Sequence, residues 1–130
     1  MKFLCVEDNA TQRHMIDLML APTGIDVDFA ASGAEALDAF QTSEYDAVLM
    51  DIELPDMTGI QAVRAIRQME DGFHLGSTPI LFLGRVEDNA DLADGSLMKP
   101  FTADGLKTAI DRILTAARGS GLEGTLRAAR

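Results

Sequence analysis

Short apolar runs alternate with amphipathic stretches from the first residues to about residue 117, and few architectures accommodate that order. Residues 2–6 (KFLCV), 45–50 (YDAVLM) and 79–83 (PILFL) are mostly apolar, as strands buried on both faces are. Residues 25–30 (IDVDFA) alternate apolar and acidic side chains, the pattern of a strand near a sheet edge, and residues 96–98 (SLM) give a fifth, very short strand. Asn9 is placed to cap a helix with Ile16, Met19 and Leu20 on one face, and Pro22 and Gly24 stop it. Residues 33–41 turn Leu37 and Phe40 inward, and residues 60–69 place Ile60, Val63 and Ile66 on one stripe. The cleanest helix is 103–117, with Leu106, Ala109, Ile110, Ile113 and Leu114 at i, i+3, i+4 spacing. Residues 54–59 form a loop built on Pro and Gly. Strands and helices in alternation predict an α/β fold, a five-stranded parallel sheet with helices on both faces.

Composition narrows the function classes. A chain of 130 residues fits one domain. Apolar residues make up 47%, too many for a disordered chain. Eleven Lys and Arg against 21 Asp and Glu give 11 − 21 = −10, which argues against a broad surface for nucleic acid phosphates and suits a cation site or a basic partner. The single cysteine, Cys5, leaves no internal disulfide and reads as inert core; with no signal-peptide pattern, it points to a reducing cytoplasm. No apolar run approaches the ~18 residues of a membrane span. Met15, Met19, Met50 and Met98 read as core filler, and His14 and His74 as surface residues.

In parallel sheets, ligands bind outside the carboxyl ends of the strands. The residues just past those ends are Glu7 and Asp8, then Asp51, then Gly84 and Arg85, then Lys99. Three carboxylates at one edge repel unless positive charge lies among them. Mg2+ is the natural partner, since it takes one or two carboxylates together with a phosphate oxygen. Lys99, its aim fixed by Pro100, adds a second positive charge. A carboxylate between a divalent cation and an ammonium can attack phosphorus, with both cations stabilising the charge that develops.

VEDN, LMDIELPDMTG and MKPF resemble the motifs of the receiver domain of two-component response regulators, in particular the chemotaxis-regulator-like ones, over residues 1–117. The resemblance implies a flavodoxin-like, doubly wound sheet. It makes Asp51 the acceptor of a phosphoryl group from the phosphohistidine of a sensor histidine kinase or histidine phosphotransfer protein. Glu7 and Asp8 would hold Mg2+, with Asp51 and the backbone carbonyl of Glu53 completing the protein's donors, and Lys99 would pair with the phosphoryl group. Pro55 and Gly59 would shape the loop after the acceptor. Signalling would pass by protein contacts to a downstream target, from a monomer or weak dimer, with no enzyme activity beyond self-phosphorylation and self-dephosphorylation.

The departures are equally specific. Where the family places a hydroxyl residue and then a small one, this chain has Gly84 and Arg85; where it often places an aromatic, this chain has Ser96. Arg85 either reaches the phosphoryl group or points to water. Only 14 residues, 85–98, lie between Gly84 and Lys99, so the fourth helix of the family is expected to be shortened or missing. VEDNA occurs twice, at 6–10 and 86–90; only the first copy has a metal-binding reason. Residues 118–130 read as a tail or linker too short for an output domain, so the chain is either a free single-domain regulator or a piece of a hybrid kinase. Two rivals remain: a pseudo-receiver that binds proteins without phosphorylation, and a Mg2+-dependent phosphatase, for which the chain lacks the length of a substrate-enclosing cap.

Overall fold

The computed structural model describes residues 1–86 and 90–129. Its elements are β1 (Lys2–Val6), α1 (Ala10–Leu20), β2 (Asp26–Ala30), α2 (Gly33–Thr42), β3 (Ala47–Asp51), α3 (Gly59–Phe73), β4 (Ile80–Leu83), β5 (Gly95–Leu97) and α4 (Ala103–Ala129). The strands lie in the order β2-β1-β3-β4-β5, and every pairing is parallel. Side chains alternate across a strand, so each strand feeds two cores. Phe3, Cys5, Leu49, Leu81 and Leu83 pack with Ile16 and Leu20 of α1 and Leu106, Ile110 and Ile113 of α4. Leu4, Val6, Val48, Met50, Ile80 and Phe82 face the other way, onto Ala36 of α2 and Ala62, Val63 and Ile66 of α3. β1, β3 and β4 are central, and all of their residues are buried except Lys2 at the start of β1.

A side chain caps the start of each helix. Gln12 N–H donates to Asn9 Oδ1 at 2.9 Å, and Gly105 N–H to Thr102 Oγ1 at 3.0 Å. Ser32 and Thr58 each accept from the third residue of their helices, Glu35 and Gln61, and Gln61 returns the bond to complete a capping box. Such caps satisfy N–H groups that have no partner inside the helix. They fix where each helix starts relative to the strand end before it.

The alternation in the sequence gives the element order, and the departures are local. β2 starts at Asp26, β3 runs one residue further to Asp51, and β5 begins at Gly95. α3 continues past 69 to Phe73, where His74 closes it in the left-handed conformation at φ 54°. Met15 and Met98 are not core filler: they are 41% and 56% exposed. Met15 lies on α1 and Met98 just past the end of β5, where periodicity alone does not distinguish core from surface. Residues 118–129, read as a tail or linker, continue α4, and no proline interrupts them.

Between β4 and β5 the described residues carry one 3₁₀ turn, Ala90–Leu92, in place of a full helix. Residues 87–89 of the second VEDNA lie outside the described residues. A side-chain network does the work that helix packing would do. Arg67 of α3 donates from Nε to the Leu92 carbonyl at 2.8 Å and from a terminal nitrogen to the Thr78 carbonyl at 2.9 Å. It pairs with Glu70 at 2.8 Å and Asp94 at 3.3 Å. The two carboxylates then accept backbone N–H groups at the entry to β4: Thr78 to Glu70 at 2.6 Å, and Ile80 to Asp94 at 2.8 Å. One guanidinium therefore ties both flanks of β4 and the approach to β5 onto α3. Arg67→Ala takes the ion pair from the buried Glu70 carboxylate and strands two carbonyls, with an expected loss of about 2–4 kcal/mol in urea unfolding. Arg67→Lys should recover only part of it, because an ammonium lacks the planar fork of donors. A change in the alanine variant below about 0.5 kcal/mol would mean that the segment is held by something else.

Candidate functional site

Parallel register brings the strand ends together. Val6 pairs with Met50 and Asp51 with Leu83, so Glu7, Asp51 and Gly84 lie side by side at the carboxyl edge. β1 stands between β2 and β3, where the connections diverge and open a crevice. A cavity of about 680 Å³ occupies this crevice, lined by Glu7, Asp8, Asp51, Glu53, Arg85 and Lys99 among others.

Carboxylate oxygens of Glu7, Asp8 and Asp51 all lie within 4.8 Å of one another. Glu7 is 1% exposed and Asp51 8%, whereas Asp8 is open to water. Lys99 Nζ donates to Glu7 Oε1 at 2.7 Å and to Asp51 Oδ1 at 3.1 Å. Asp51 Oδ1 also accepts the Ile52 N–H at 2.9 Å, while Oδ2 accepts no hydrogen bond from a described residue. Burial pushes the Glu7 carboxyl above its usual range; the Lys99 bond opposes this, and neighbouring Asp51 adds to it. Burial alone would lower the Lys99 ammonium, but its bonds to Glu7 and Asp51 outweigh that and hold it above its ordinary value. With all groups ionised, three carboxylates and one ammonium sum to −3 + 1 = −2. A hard divalent cation with oxygen ligands would balance that charge, so the donor set fits Mg2+.

The surrounding backbone is held closely. Arg13 of α1 donates to the Glu7 carbonyl at 2.9 Å, and Glu7 N–H to the Ala30 carbonyl at 2.9 Å. Gly59 N–H donates to the Ile52 carbonyl at 2.6 Å, and a Cβ on Gly59 would lie 2.0 Å from the Asp51 carbonyl oxygen. Only glycine lets α3 start this close to the end of β3. Lys99 is followed by a cis bond to Pro100. Cys5 lies behind the site with its thiol pushed well above the ordinary range, mainly by burial and then by Glu7, so it stays protonated and inert.

Of the residues singled out in the sequence, Glu7, Asp8, Asp51, Glu53, Gly84, Arg85 and Lys99 share the cavity. Ser96 does not: it is exposed in a separate hollow between β5 and α4, with Gly105 and Arg112. Sequence reasoning missed Arg13, whose spacing from Glu7 carries no motif, and Asp56, whose partners lie 22 and 23 residues away. It also left unexplained why residue 84 is a glycine. Gly84 has φ 142°, in a region that L side chains rarely adopt, and a Cβ there would lie 2.9 Å from Ile52 Cγ1. The missing hydroxyl follows from this backbone shape.

The family model described as the response regulator receiver domain matches residues 3–111. The cell cycle transcriptional regulator CtrA of Caulobacter vibrioides is 31% identical over 126 residues, 92% of this chain and 52% of CtrA. The chain thus spans about half the length of the curated relatives it matches. Among solved structures, the chemotaxis response regulator CheY4 of Vibrio cholerae superposes with a TM-score of 0.74 at 33% identity, covering 86% of this chain and 97% of CheY4. TrrA of Thermotoga maritima, solved with Mg(2+)-BeF, gives 0.76 at 28% identity with the same coverage, 86% and 97%. In its complex with the histidine kinase ThkA it gives 0.76 at 28% identity, covering 88% and 98%.

The conformation of Gly84 yields a direct test. Gly84→Ser, which restores a hydroxyl, should destabilise the protein by about 1–3 kcal/mol through backbone strain alone. The close contact with Ile52 adds to that, and Ile52→Ala in the same chain should relieve only this second part. Thermal and urea unfolding of the single and double variants measure both. Wild-type stability in Gly84→Ser would show that the backbone leaves this conformation freely.

Proposed function

On the premise that this chain belongs to the response regulator receiver domain family, we propose that it takes a phosphoryl group from a phosphohistidine onto Asp51 with Mg2+ bound at Glu7, Asp8 and Asp51. The observation that carries this reading is the charge count at the strand ends, three clustered carboxylates against one ammonium that touches two of them. The rival pseudo-receiver reading finds no support, since every group the chemistry needs converges in one cavity. The family match over residues 3–111 favours the receiver reading over a phosphatase.

Ile52 N–H and Lys99 fix Asp51 Oδ1 and leave Oδ2 as the nucleophile. As the new O–P bond forms, the P–N bond of phosphohistidine breaks, and the imidazole leaves with the electron pair and picks up a proton. Bound Mg2+ would supply a second positive charge to the phosphoryl oxygens, held by Asp8, Glu7, Asp51 and the Glu53 carbonyl. Lys99 supplies the first, and its raised pKa keeps it charged across the physiological range.

The donor would be a sensor histidine kinase or histidine phosphotransfer protein, as the TrrA–ThkA complex suggests by analogy. Residues 1–117 would form the receiver unit, with 118–130 an appended tail. No helix among the described residues is long and apolar enough to cross a membrane. A cytoplasmic monomer or weak dimer that contacts a downstream protein completes the reading.

Acetyl phosphate with Mg2+ should add one phosphoryl group, seen by intact mass, and EDTA should abolish the addition. Asp51→Asn modified as fast as wild type would sink the assignment. The signal would leave through residues 84–95. Their far end is tied to α3 by Arg67, so movement would begin at Gly84 and Arg85. Amide NMR with beryllofluoride should shift residues 84–86; shifts limited to the loops after Val6 and Asp51 would rule out this route.

A further inference from the structure

We propose that Asp56 is a positioning residue for the phosphoacceptor site: its carboxylate ties the loop 52–58 to the N-terminus of α2 and so sets the affinity of the Glu7–Asp8–Asp51 cluster for a divalent cation. The inference rests on the reading of that cluster as a Mg2+ site.

Asp56 Oδ1 accepts the Gly33 N–H at 2.8 Å, and Oδ2 accepts the Ala34 N–H at 2.9 Å. These contacts complete the helix terminus. Glu35 N–H goes to Ser32 Oγ at 3.1 Å and Ala36 N–H to the Ser32 carbonyl at 3.0 Å, so the first four donors of α2 are all satisfied. Two of them come from another part of the chain. The same carboxylate is held below its usual range by those two N–H groups, so it stays ionised as a clamp. Met57 adds a second contact at the same place. It fills the space that a Cβ on Gly33 would need, which would lie 2.4 Å from Met57 Cγ.

The loop so anchored behaves as one closed piece. Gly59 N–H returns to the Ile52 carbonyl, Leu54 N–H to the Met57 carbonyl, and Glu53 bridges Thr58. Asp51 stands at its start, and Glu53, whose carbonyl would face the cation, lies within it. A closed loop displaced at its apex carries Glu53 and the peptide after Asp51 with it. Asp56 is exposed, so this placement is what its position in the fold contributes.

The test compares Mg2+ titrations of the full chain, by calorimetry or amide shifts, with thermal melts in EDTA. Asp56→Ala and Ser32→Ala both uncap α2, and both should lower the melting temperature. Only Asp56→Ala should also weaken Mg2+ binding, by roughly ten-fold, the low end for a group supporting metal ligands. Asp56→Asn keeps one acceptor and should fall between, and it serves if the alanine variant does not fold. Mg2+ affinity in Asp56→Ala within about two-fold of wild type would overturn the proposal. So would an equal loss in Ser32→Ala, because the effect would then be general loosening of α2. A wild-type chain that binds no Mg2+ would instead refute the metal-site reading, and the proposal with it.

Discussion

The ammonium of Lys99 lies between two carboxylates that repel each other, and the carboxyl end of the sheet depends on it. Glu7 is almost fully buried, and Lys99 supplies the only ion pair its carboxylate makes among the described residues. Removing one partner of a buried pair leaves a charge that neither water nor protein compensates. The bond also spans the sheet. Lys99 follows the edge strand β5, yet it reaches past β4 and β3 to the end of β1, 92 residues away in sequence. The same ammonium that pairs with Asp51 therefore ties the end of the shortest strand to the end of β1.

A second set of charges compensates for lost packing. One 3₁₀ turn stands among the described residues where a helix would stand, and Val86, Leu92 and Ala93 of this segment are only partly buried against the core. Arg67, Glu70 and Asp94 supply direction in place of area. Each carboxylate accepts a backbone donor at the mouth of β4, and the guanidinium accounts for the carbonyls opposite. Polar satisfaction of this kind gives less free energy than burial but fixes geometry more tightly, because each bond has an angle as well as a distance.

Much of this was legible in the sequence, for physical reasons. Strand and helix periodicities differ, so the order of elements followed from the spacing of Leu106, Ile110 and Ile113 and from the unbroken AVLM of β3. Parallel sheets put function at the carboxyl ends, which located Glu7, Asp8, Asp51 and Lys99 before any coordinates. What was hidden depends on approach in three dimensions. Nothing in the string marks that Arg67 meets Leu92, or that Asp56 meets Gly33 across 23 residues. Met15 and Met98 were misjudged because methionine suits core and surface alike. Ser96, the position where the family often has an aromatic, is exposed on β5, which the string alone did not show.

The contact between Gly84 and Ile52 bears on how such a sequence changes over time. A hydroxyl at position 84 is blocked twice, by a backbone angle of 142° and by a methylene carbon 2.9 Å from the would-be Cβ. Neither obstacle yields to one codon change at position 84 itself. Ile52 would have to shrink and the loop rotate before a serine there carried no penalty, so intermediates in the other order are unstable and tend to be purged. The two positions are therefore interdependent: a side chain at 84 calls for a smaller residue at 52 and a different backbone angle.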